Sequence, residues 1–379
     1  MNLFDVYPLN PVTIAKGEGC YVYDDQGQKY LDLYGGHAVI SVGHSHPDYV
    51  AGIQSQLEKL AFYSNSVINP VQSKLAERLG EVSEYADYSL FLCSSGAEAN
   101  ENALKLASFA TGKKKVVAFE KGFHGRTSLA VAVTDNPKIQ APANPTDHVS
   151  IVPFNDLEAV EAELAKGDVC AVIYEPLQGV AGIREASHEF QQGLSNLCAK
   201  YDAKLIADEV QAGAGRTGKF FAHQWAGIKP DIVTVAKGLG NGFPVGAALI
   251  SPDFEASYGL LGTTFGGNHL ACAAALSVLD IIEKENLMDN AIVMEELARN
   301  LAEDIPEIKK ITGKGLMLGF EFESPIAQLR KNLLLESKIF TGNASNPNVL
   351  RILPPLNVSA EMIGTFFSQL KLQLSACPA

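Results

Sequence analysis

Apolar residues along this chain recur in two rhythms, and their alternation sets the expected architecture. From about residue 51 to 260, stretches with helical spacing of apolar positions alternate with short continuous apolar runs. The runs at 89–92, 115–119, 149–153, 169–175, 203–207, 232–236 and 246–250 read as strands. Strand–helix alternation over this length predicts an α/β domain around a large, mostly parallel sheet with helices on both faces. Only a glycine-rich turn separates the last two runs, so one of them is expected to run antiparallel. Residues 21–31 alternate about an Asp/Gly-type turn, a hairpin pattern within an otherwise extended N-terminal arm. Later in the chain, 268–285 reads as a long Ala/Leu-rich helix and 289–304 as an amphipathic one. Residues 315–322 carry a strand pattern and about 360–374 a final helix. The expected division is an arm over 1–50, a large domain over 51–262, and a connecting helix with a smaller α+β lobe over 263–379.

Composition narrows the class. The chain has 379 residues, 47% apolar and 19% charged, with mean hydropathy +0.06. That is enough for one large core and a second lobe. A net charge of −13 repels phosphate backbones, so neither nucleic acid nor an anionic membrane is an expected partner. The compact basic run Lys113-Lys114-Lys115 reads as a solvated turn entering a strand. No apolar stretch approaches the ~20 residues that span a bilayer. Met1-Asn2-Leu3-Phe4-Asp5 has neither the basic nor the apolar segment of a signal peptide. Cysteines 20, 93, 170, 198, 272 and 377 show no CxxC spacing and mostly fall in apolar runs. Reduced, buried thiols in a cytoplasmic protein are the expectation.

Chemistry concentrates at strand ends. Lys237 closes the run Ile232-Val233-Thr234-Val235-Ala236 and opens onto Gly238-Leu239-Gly240-Asn241-Gly242. A lysine in such a place loses its charge readily and is a good Schiff-base former. Asp208 ends a second run in the equivalent position, 29 residues earlier (237 − 208). That interval is one strand–connection–strand unit, so both groups can emerge at one sheet edge. A lysine amine with a carboxylate beside it is what pyridoxal phosphate requires. The amine holds the aldehyde, and the acid keeps the pyridine nitrogen protonated.

Ser95-Gly96-Ala97-Glu98 follows strand 89–92 as a capping box opening a helix over about 97–111. Its unobstructed amides and helix dipole make an anion site, although an ordinary capped helix fits this segment equally well. In Phe123-His124-Gly125-Arg126 the aromatic can stack on a ring and the arginine can grip a carboxylate; a merely structural loop has the same composition. The hydroxyls of Thr263-Thr264 precede a helix and can complete a phosphate shell or cap that helix. Gly213-Ala214-Gly215-Arg216-Thr217-Gly218 formally matches GxGxxG, but it neither follows a strand directly nor opens a clear helix, so a dinucleotide reading fails. His44-Ser45-His46 lacks a third metal ligand and reads as a loop.

Taken together, these segments resemble the class III aminotransferases, a family of pyridoxal-phosphate enzymes. The resemblance rests on six stretches in family order: Ser95 to Asn100, Phe123 to Arg126, Glu175-Pro176-Leu177-Gln178-Gly179, Asp208 to Gln211, Ala236-Lys237-Gly238, and Gly262 to Asn268. Gly17-Glu18-Gly19, Val42 to Pro47 and Leu350-Arg351-Ile352-Leu353-Pro354-Pro355 extend it over the whole chain. The chain is most similar to the acetylornithine/succinylornithine branch. The resemblance implies a fold-type-I homodimer with active sites shared between subunits, taking an N-acyl-ornithine and 2-oxoglutarate/glutamate. It implies Lys237 as the Schiff-base lysine, Asp208 at the pyridine nitrogen, Gln211 near the phenolic oxygen, and Phe123 over one ring face. Ser95, Gly96 and Ala97 would cradle the phosphate, joined by Thr264 of the other subunit, with Glu175 and Val210 completing the cofactor wall. Arg126 would take a substrate carboxylate with Thr263 beside it, and Arg351 would anchor a second carboxylate.

Two departures bear on the substrate. Family members usually carry a second glutamate shortly after the Glu-Pro, which pairs with the residue matching Arg351; here that stretch reads Gln178-Gly179-Val180-Ala181-Gly182. Val180 offers no charge, so Arg351 is either free or paired elsewhere. Ser64-Asn65-Ser66-Val67-Ile68-Asn69 also lacks the aromatics usual after Ser-Asn, which widens the pocket and favours a larger or anionic acyl group. The donor is therefore expected to be N-succinylornithine as readily as N-acetylornithine. Ornithine and 4-aminobutyrate, an aminomutase reaction, or a non-catalytic ligand sensor on the same scaffold are the alternatives.

Overall fold

The computed structural model describes residues 1–376; Cys377 lies outside the described residues. Its main sheet has seven strands. In spatial order they are Ser89–Cys93, Gly246–Ile250, Ile232–Val235, Lys204–Asp208, Val169–Tyr174, Lys115–Phe119 and Val149–Val152. These are the seven runs that the sequence singles out. The strand that runs against the rest is Gly246–Ile250, antiparallel to both neighbours. The link before it holds only the short 3₁₀ turn Lys237–Leu239 and a glycine loop, and a parallel pair needs a much longer crossover.

Both faces of the sheet are covered, which is why Val169–Tyr174 is buried at every position instead of alternating. On one face the helix Gly96–Thr111 sets Ala103, Leu104 and Ala107 against Val116, Ile173, Ile206 and Ile232. On the other, Phe190 and Leu194 of the helix His188–Tyr201 pack on Phe119, Val172 and Leu205.

The strands Ile308–Lys314, Met317–Phe322 and Val349–Ile352 form a separate antiparallel sheet. Phe320 and Ile352 from this sheet share a core with Phe366, Phe367 and Ala298 from two helices. That same core takes Cys20, Leu31, Leu33 and Val42 from the start of the chain. Lys29–Asp32 pairs in parallel with Ile339–Phe340, so the N-terminal strands join a sheet with residues more than three hundred positions later. The hairpin expected at 21–31 is present as Tyr21–Asp24 against Lys29–Asp32.

The five described cysteines are free and buried, and burial pushes the Cys20 thiol up to about 12. The basic run at 113–115 is not simply solvated. Lys113 donates to the carbonyls of Tyr201 and Asp202, and Lys115 pairs with Glu163 at 3.0 Å. Strand ends collect carbonyls and carboxylates, and long amphipathic lysines reach them with their stems packed on apolar surface. The glycine-rich stretch 213–218 turns a buried arginine inward. Arg216 donates to the carbonyls of Pro354 (2.7 Å), Leu316 (3.1 Å) and Ile40 (3.4 Å). It thereby ties three distant segments together, and burial lowers its pKa to about 10. His44 and His46 each face a carboxylate, Asp32 at 2.8 Å and Glu285 at 2.9 Å.

Candidate active site

Two adjacent parallel strands deliver the central pair. Asp208 is in register with Thr234, and Lys237 follows three residues later at the same sheet edge. Lys237 takes a positive φ of 43°, a left-handed turn that lifts the side chain off the strand direction. Burial is the main influence on its amine and lowers its pKa to about 8, against the opposing pull of Asp208 and Glu175. Both residues line a cavity of about 320 Å³, within the usual size range for a small-molecule site. The same cavity is lined by Ser95, Gly96, Ala97, Phe123, Glu175, Val210 and Gln211, so nine of the thirteen residues expected from sequence meet in one place.

One end of the cavity is a helix N-terminus. Ser95 Oγ accepts from Glu98 N at 3.2 Å, and Glu98 Oε2 accepts from Ser94 N at 2.8 Å. Ser95 thus caps the helix as expected, while Glu98 reaches back one residue further than a capping box requires, to Ser94, and the first helical amides, Gly96 and Ala97, are left free to bind an anion. Packing there is tight: a Cβ on Gly96 would stand 2.6 Å from Val210 Cγ1. Glycine is therefore the residue that lets the helix end approach the cavity wall.

Asp208 is buried but fully engaged. Its Oδ2 accepts from Asn100 Nδ2 and from His124 Nδ1, both at 2.7 Å, and its Oδ1 accepts from Val210 N at 3.0 Å. Thr234 Oγ1 donates in turn to Asn100 Oδ1 at 2.6 Å. Burial opposes a charge on His124, but the hydrogen bond to Asp208 and the charges of Asp208 and Glu175 outweigh it, so its pKa is raised. Glu175 accepts from Phe123 N at 2.9 Å and Gly179 N at 3.3 Å. Its pKa rises to about 7, chiefly through burial and further through the charge of Asp208.

Asn100, His124 and Thr234 carry this network, and the sequence reading gave them no role. Their signal was available: Asn100 is a polar residue on the buried face of an otherwise Ala/Leu helix, and buried amides need partners. Val39 and Phe243 also line the cavity unannounced.

Arg351 lies beside the cavity and not among the residues lining it. Its Nε donates to Asn343 O at 2.6 Å, and its Nη1 to Gly179 O at 2.7 Å and Gln211 Oε1 at 3.4 Å. It is thus paired elsewhere, with neutral acceptors, as the loss of a glutamate at Val180 leaves open. Arg126, Thr263 and Thr264 are not brought to the cavity within one chain. Arg126 is exposed, and Thr263 lines a separate groove with Asn65 and Gln72. Thr263 therefore stands apart from the cavity of its own chain. Its segment is held by Asn65, which donates to the carbonyls of Thr263 and Gly266.

Comparison with known proteins agrees with this geometry. The model of the family "Aminotransferase class-III" matches residues 5–374. The acetylornithine aminotransferase of Bacillus subtilis is 40% identical, over 98% of this chain and 97% of that protein. Among solved structures, the ornithine aminotransferase of Toxoplasma gondii superposes with a TM-score of 0.92 at 29% identity, covering 99% of this chain and 92% of that one. The N-acetylornithine aminotransferase of Stenotrophomonas maltophilia does so with a TM-score of 0.83 at 33% identity, covering 98% and 97%. A buried strand-end lysine facing a networked carboxylate, set in a chain matched along nearly its whole length, places this protein in the class III aminotransferase family.

Proposed function

We propose that this chain transfers the terminal amine of an N2-acyl-L-ornithine to 2-oxoglutarate, with pyridoxal 5'-phosphate as cofactor, in arginine biosynthesis. The products are the N-acyl-glutamate semialdehyde and glutamate. The observation that carries the reading is the meeting of Lys237, Asp208 and a capped helix N-terminus in one cavity.

The donor set fits the cofactor. The Gly96 and Ala97 amides, with Ser95, suit a phosphate, and Thr264 of a second subunit would join them. Phe123 and Val210 supply apolar contacts for the ring, Gln211 a polar partner for its phenolic oxygen, and Glu175 completes the wall. Asp208, hydrogen-bonded to His124 and Asn100, suits a protonated pyridine nitrogen. Bound there, pyridoxal phosphate supplies an aldehyde for amine exchange and an electron-poor ring that takes up the charge left when a proton departs.

The remaining work belongs to the protein. Lys237, neutral above about pH 8, is the amine for covalent attachment and, once released, the base that takes and returns the proton at the amine-bearing carbon. Arg126 and Arg351 are the candidate carboxylate anchors. An acyl-ornithine reacts at its terminal amine and glutamate at its α-amine, so one pocket must hold a carboxylate at two distances. Two arginines answer that need. Donor and acceptor then use the pocket in turn, giving ping-pong kinetics.

The same reading includes a homodimer. Thr263 and Thr264 are not among the residues lining their own chain's cavity, and they precede the exposed Phe265, whose ring packs on Phe62 at 5.6 Å. Leu3, Phe4, Tyr7 and Leu9 are also exposed in the single chain. Among the described residues no helix is long and apolar enough to cross a membrane, and we place the protein in the cytoplasm.

The acyl group is acetyl or succinyl; the lack of aromatics at 64–69 favours the larger one. Ornithine itself is the second reading, favoured by the ornithine aminotransferase among the structural neighbours. The test is a donor panel with 2-oxoglutarate: acetylornithine, succinylornithine, ornithine and 4-aminobutyrate. An acyl-ornithine should give the highest kcat/KM, and a higher value for either unacylated amine would overturn the assignment.

A further inference from the structure

The turn that carries Lys237 is held from outside the large domain. Between Lys237 and the next strand the chain runs Gly238-Leu239-Gly240-Asn241-Gly242-Phe243-Pro244. Lys237, Asn241 and Gly242 have positive φ, at 43°, 46° and 102°. The backbone bonds inside the turn are local: Leu239 N donates to Ala236 O, Gly240 N to Lys237 O and Phe243 N to Gly240 O. A glycine-rich segment has many conformations of similar energy, and left-handed residues persist where their surroundings enforce them.

Residues 41–49 of the N-terminal arm supply that enforcement. Asn241 is buried, and its side chain makes three hydrogen bonds to one stretch of the arm. Its Oδ1 accepts from Ser41 N at 2.8 Å and from Val42 N at 3.0 Å, and its Nδ2 donates to Gly43 O at 3.0 Å. Ser41 Oγ donates back to Gly238 O at 2.6 Å, and the Tyr49 hydroxyl donates to Gly240 O at 2.7 Å. The two segments are also in close contact: a Cβ on Gly238 would stand 3.5 Å from Ser41 Cβ, and one on Gly242 3.6 Å from Ile40 Cδ1. Ala236 and Lys237 line the cavity before Asn241, and Gly242 and Phe243 line it after, with Val39 of the arm beside them. Asparagine suits the place twice over. It tolerates the left-handed region, and its amide offers a donor and an acceptor at once.

We propose that Asn241 is a positioning residue for the reaction: through its amide the arm fixes the turn that carries Lys237, and so sets the pose of the reactive amine and of Phe243 in the cavity wall. The inference rests on the aminotransferase reading above. Asn241 is not itself among the residues lining the cavity, and it acts through the turn. An amine displaced by a fraction of an ångström meets its reaction partner in poorer alignment. A loosened turn also admits water to an amine whose pKa is lowered chiefly by burial. The charges around that amine are left in place: Asp208 and Glu175, which raise its pKa, Arg351 and Arg216, which lower it, and the neighbouring His37.

The test compares Asn241→Gly, Ser41→Ala and Tyr49→Phe with the parent. Glycine accepts the left-handed backbone without strain and removes the three side-chain bonds, so the two effects are separated. Two quantities are read: kcat and KM of the holoenzyme, and the pH midpoint for labelling of Lys237 in the apoprotein by an amine-reactive reagent. Asn241→Gly should lower kcat about tenfold or more, with a smaller change in KM. Its labelling midpoint should move up from about 8 by about half a pH unit or more, as water reaches the amine. Ser41→Ala and Tyr49→Phe each remove one bond and should show smaller shifts of the same sign; they carry the test if Asn241→Gly does not fold. A lower urea midpoint with the parent's kcat and labelling curve overturns the proposal, because a merely structural asparagine gives that result. So does a fall in kcat without a shift in the labelling midpoint, or a raised KM with kcat intact. Failure of the aminotransferase reading looks different: the parent then transfers no amine from any donor, while the labelling midpoint of Asn241→Gly still moves.

Discussion

At the scale of single residues, the site is governed by what burial does to charge. Lys237 has its pKa lowered to about 8, so its neutral amine should rise tenfold per pH unit up to that point and then level off. Labelling of Lys237 in the apoprotein by an amine-reactive reagent, followed by mass spectrometry, should trace this curve. A rate still climbing tenfold per unit past pH 9 would show an ordinary lysine. Glu175 moves the other way, from 4.5 to about 7. An acid whose folded pKa is raised contributes stability that is fully present below its unfolded pKa and lost as pH rises through the folded one. The window is therefore about pH 4.5 to 7. Glu175→Gln should match the parent in thermal midpoint near pH 5 and exceed it near pH 8. Equal differences at both pH values would remove the charge argument. Within this network Lys237 and Asp208 were legible in the sequence because a charged residue ending an apolar run is conspicuous. Thr234 was not, because a threonine inside a strand looks like any β-branched residue until its hydroxyl is seen on Asn100.

Secondary-structure elements place those residues, and their ends do most of it. The helix Gly96–Thr111 starts at Ser95 because the cap satisfies an amide that the helix cannot. Ser95→Ala should cost about 1 kcal/mol in urea unfolding. Its affinity for pyridoxal phosphate should fall as well, since the freed Glu98 amide disorders the anion cradle; unchanged affinity would limit Ser95 to a structural role. Gly246 begins the antiparallel strand hard against this cap, where a Cβ would meet Ser95 O at 2.4 Å. The strand boundaries were readable from apolar runs and the helix start from its cap. The direction of Gly246–Ile250 followed from the shortness of its link. What could not be read was Arg351's set of acceptors. Carbonyl oxygens of Gly179 and Asn343 exist at every sequence position, so nothing in the residue types marks them.

The whole molecule is held together by contacts between segments far apart in the chain. Arg216 donates to carbonyls from 40, 316 and 354, joining the large sheet's loops to both ends of the sequence. Hydrogen bonds from a charged group are worth about 1.5–3 kcal/mol each, so Arg216→Leu should lower unfolding stability by at least that much. A denaturation midpoint equal to the parent's would show the contacts to be energetically idle. Assembly is tested at the same scale. On the proposed dimer, Phe265→Asp puts a charge into the apolar surface beside Thr264. Sedimentation should then show single chains, and transamination should fall with the loss of pairing, because in that dimer Thr264 would serve the other subunit's site. A dimer of normal activity would mean that this surface lies outside the interface.

Residue order alone determined the seven strands, the capped helix, and the placing of an amine and a carboxylate at one sheet edge. Each of these depends on local rules: side-chain periodicity, cap chemistry and the length of a crossover. The tertiary structure decided the rest. It brought residues of the first fifty into the core of the last hundred, gave Arg351 neutral partners in place of an acid, placed Thr263 in a groove apart from its own cavity, and set His37 beside Tyr34. Those outcomes depend on which distant surfaces meet, and a buried polar group takes whichever acceptor the packing presents, a choice that no local pattern encodes.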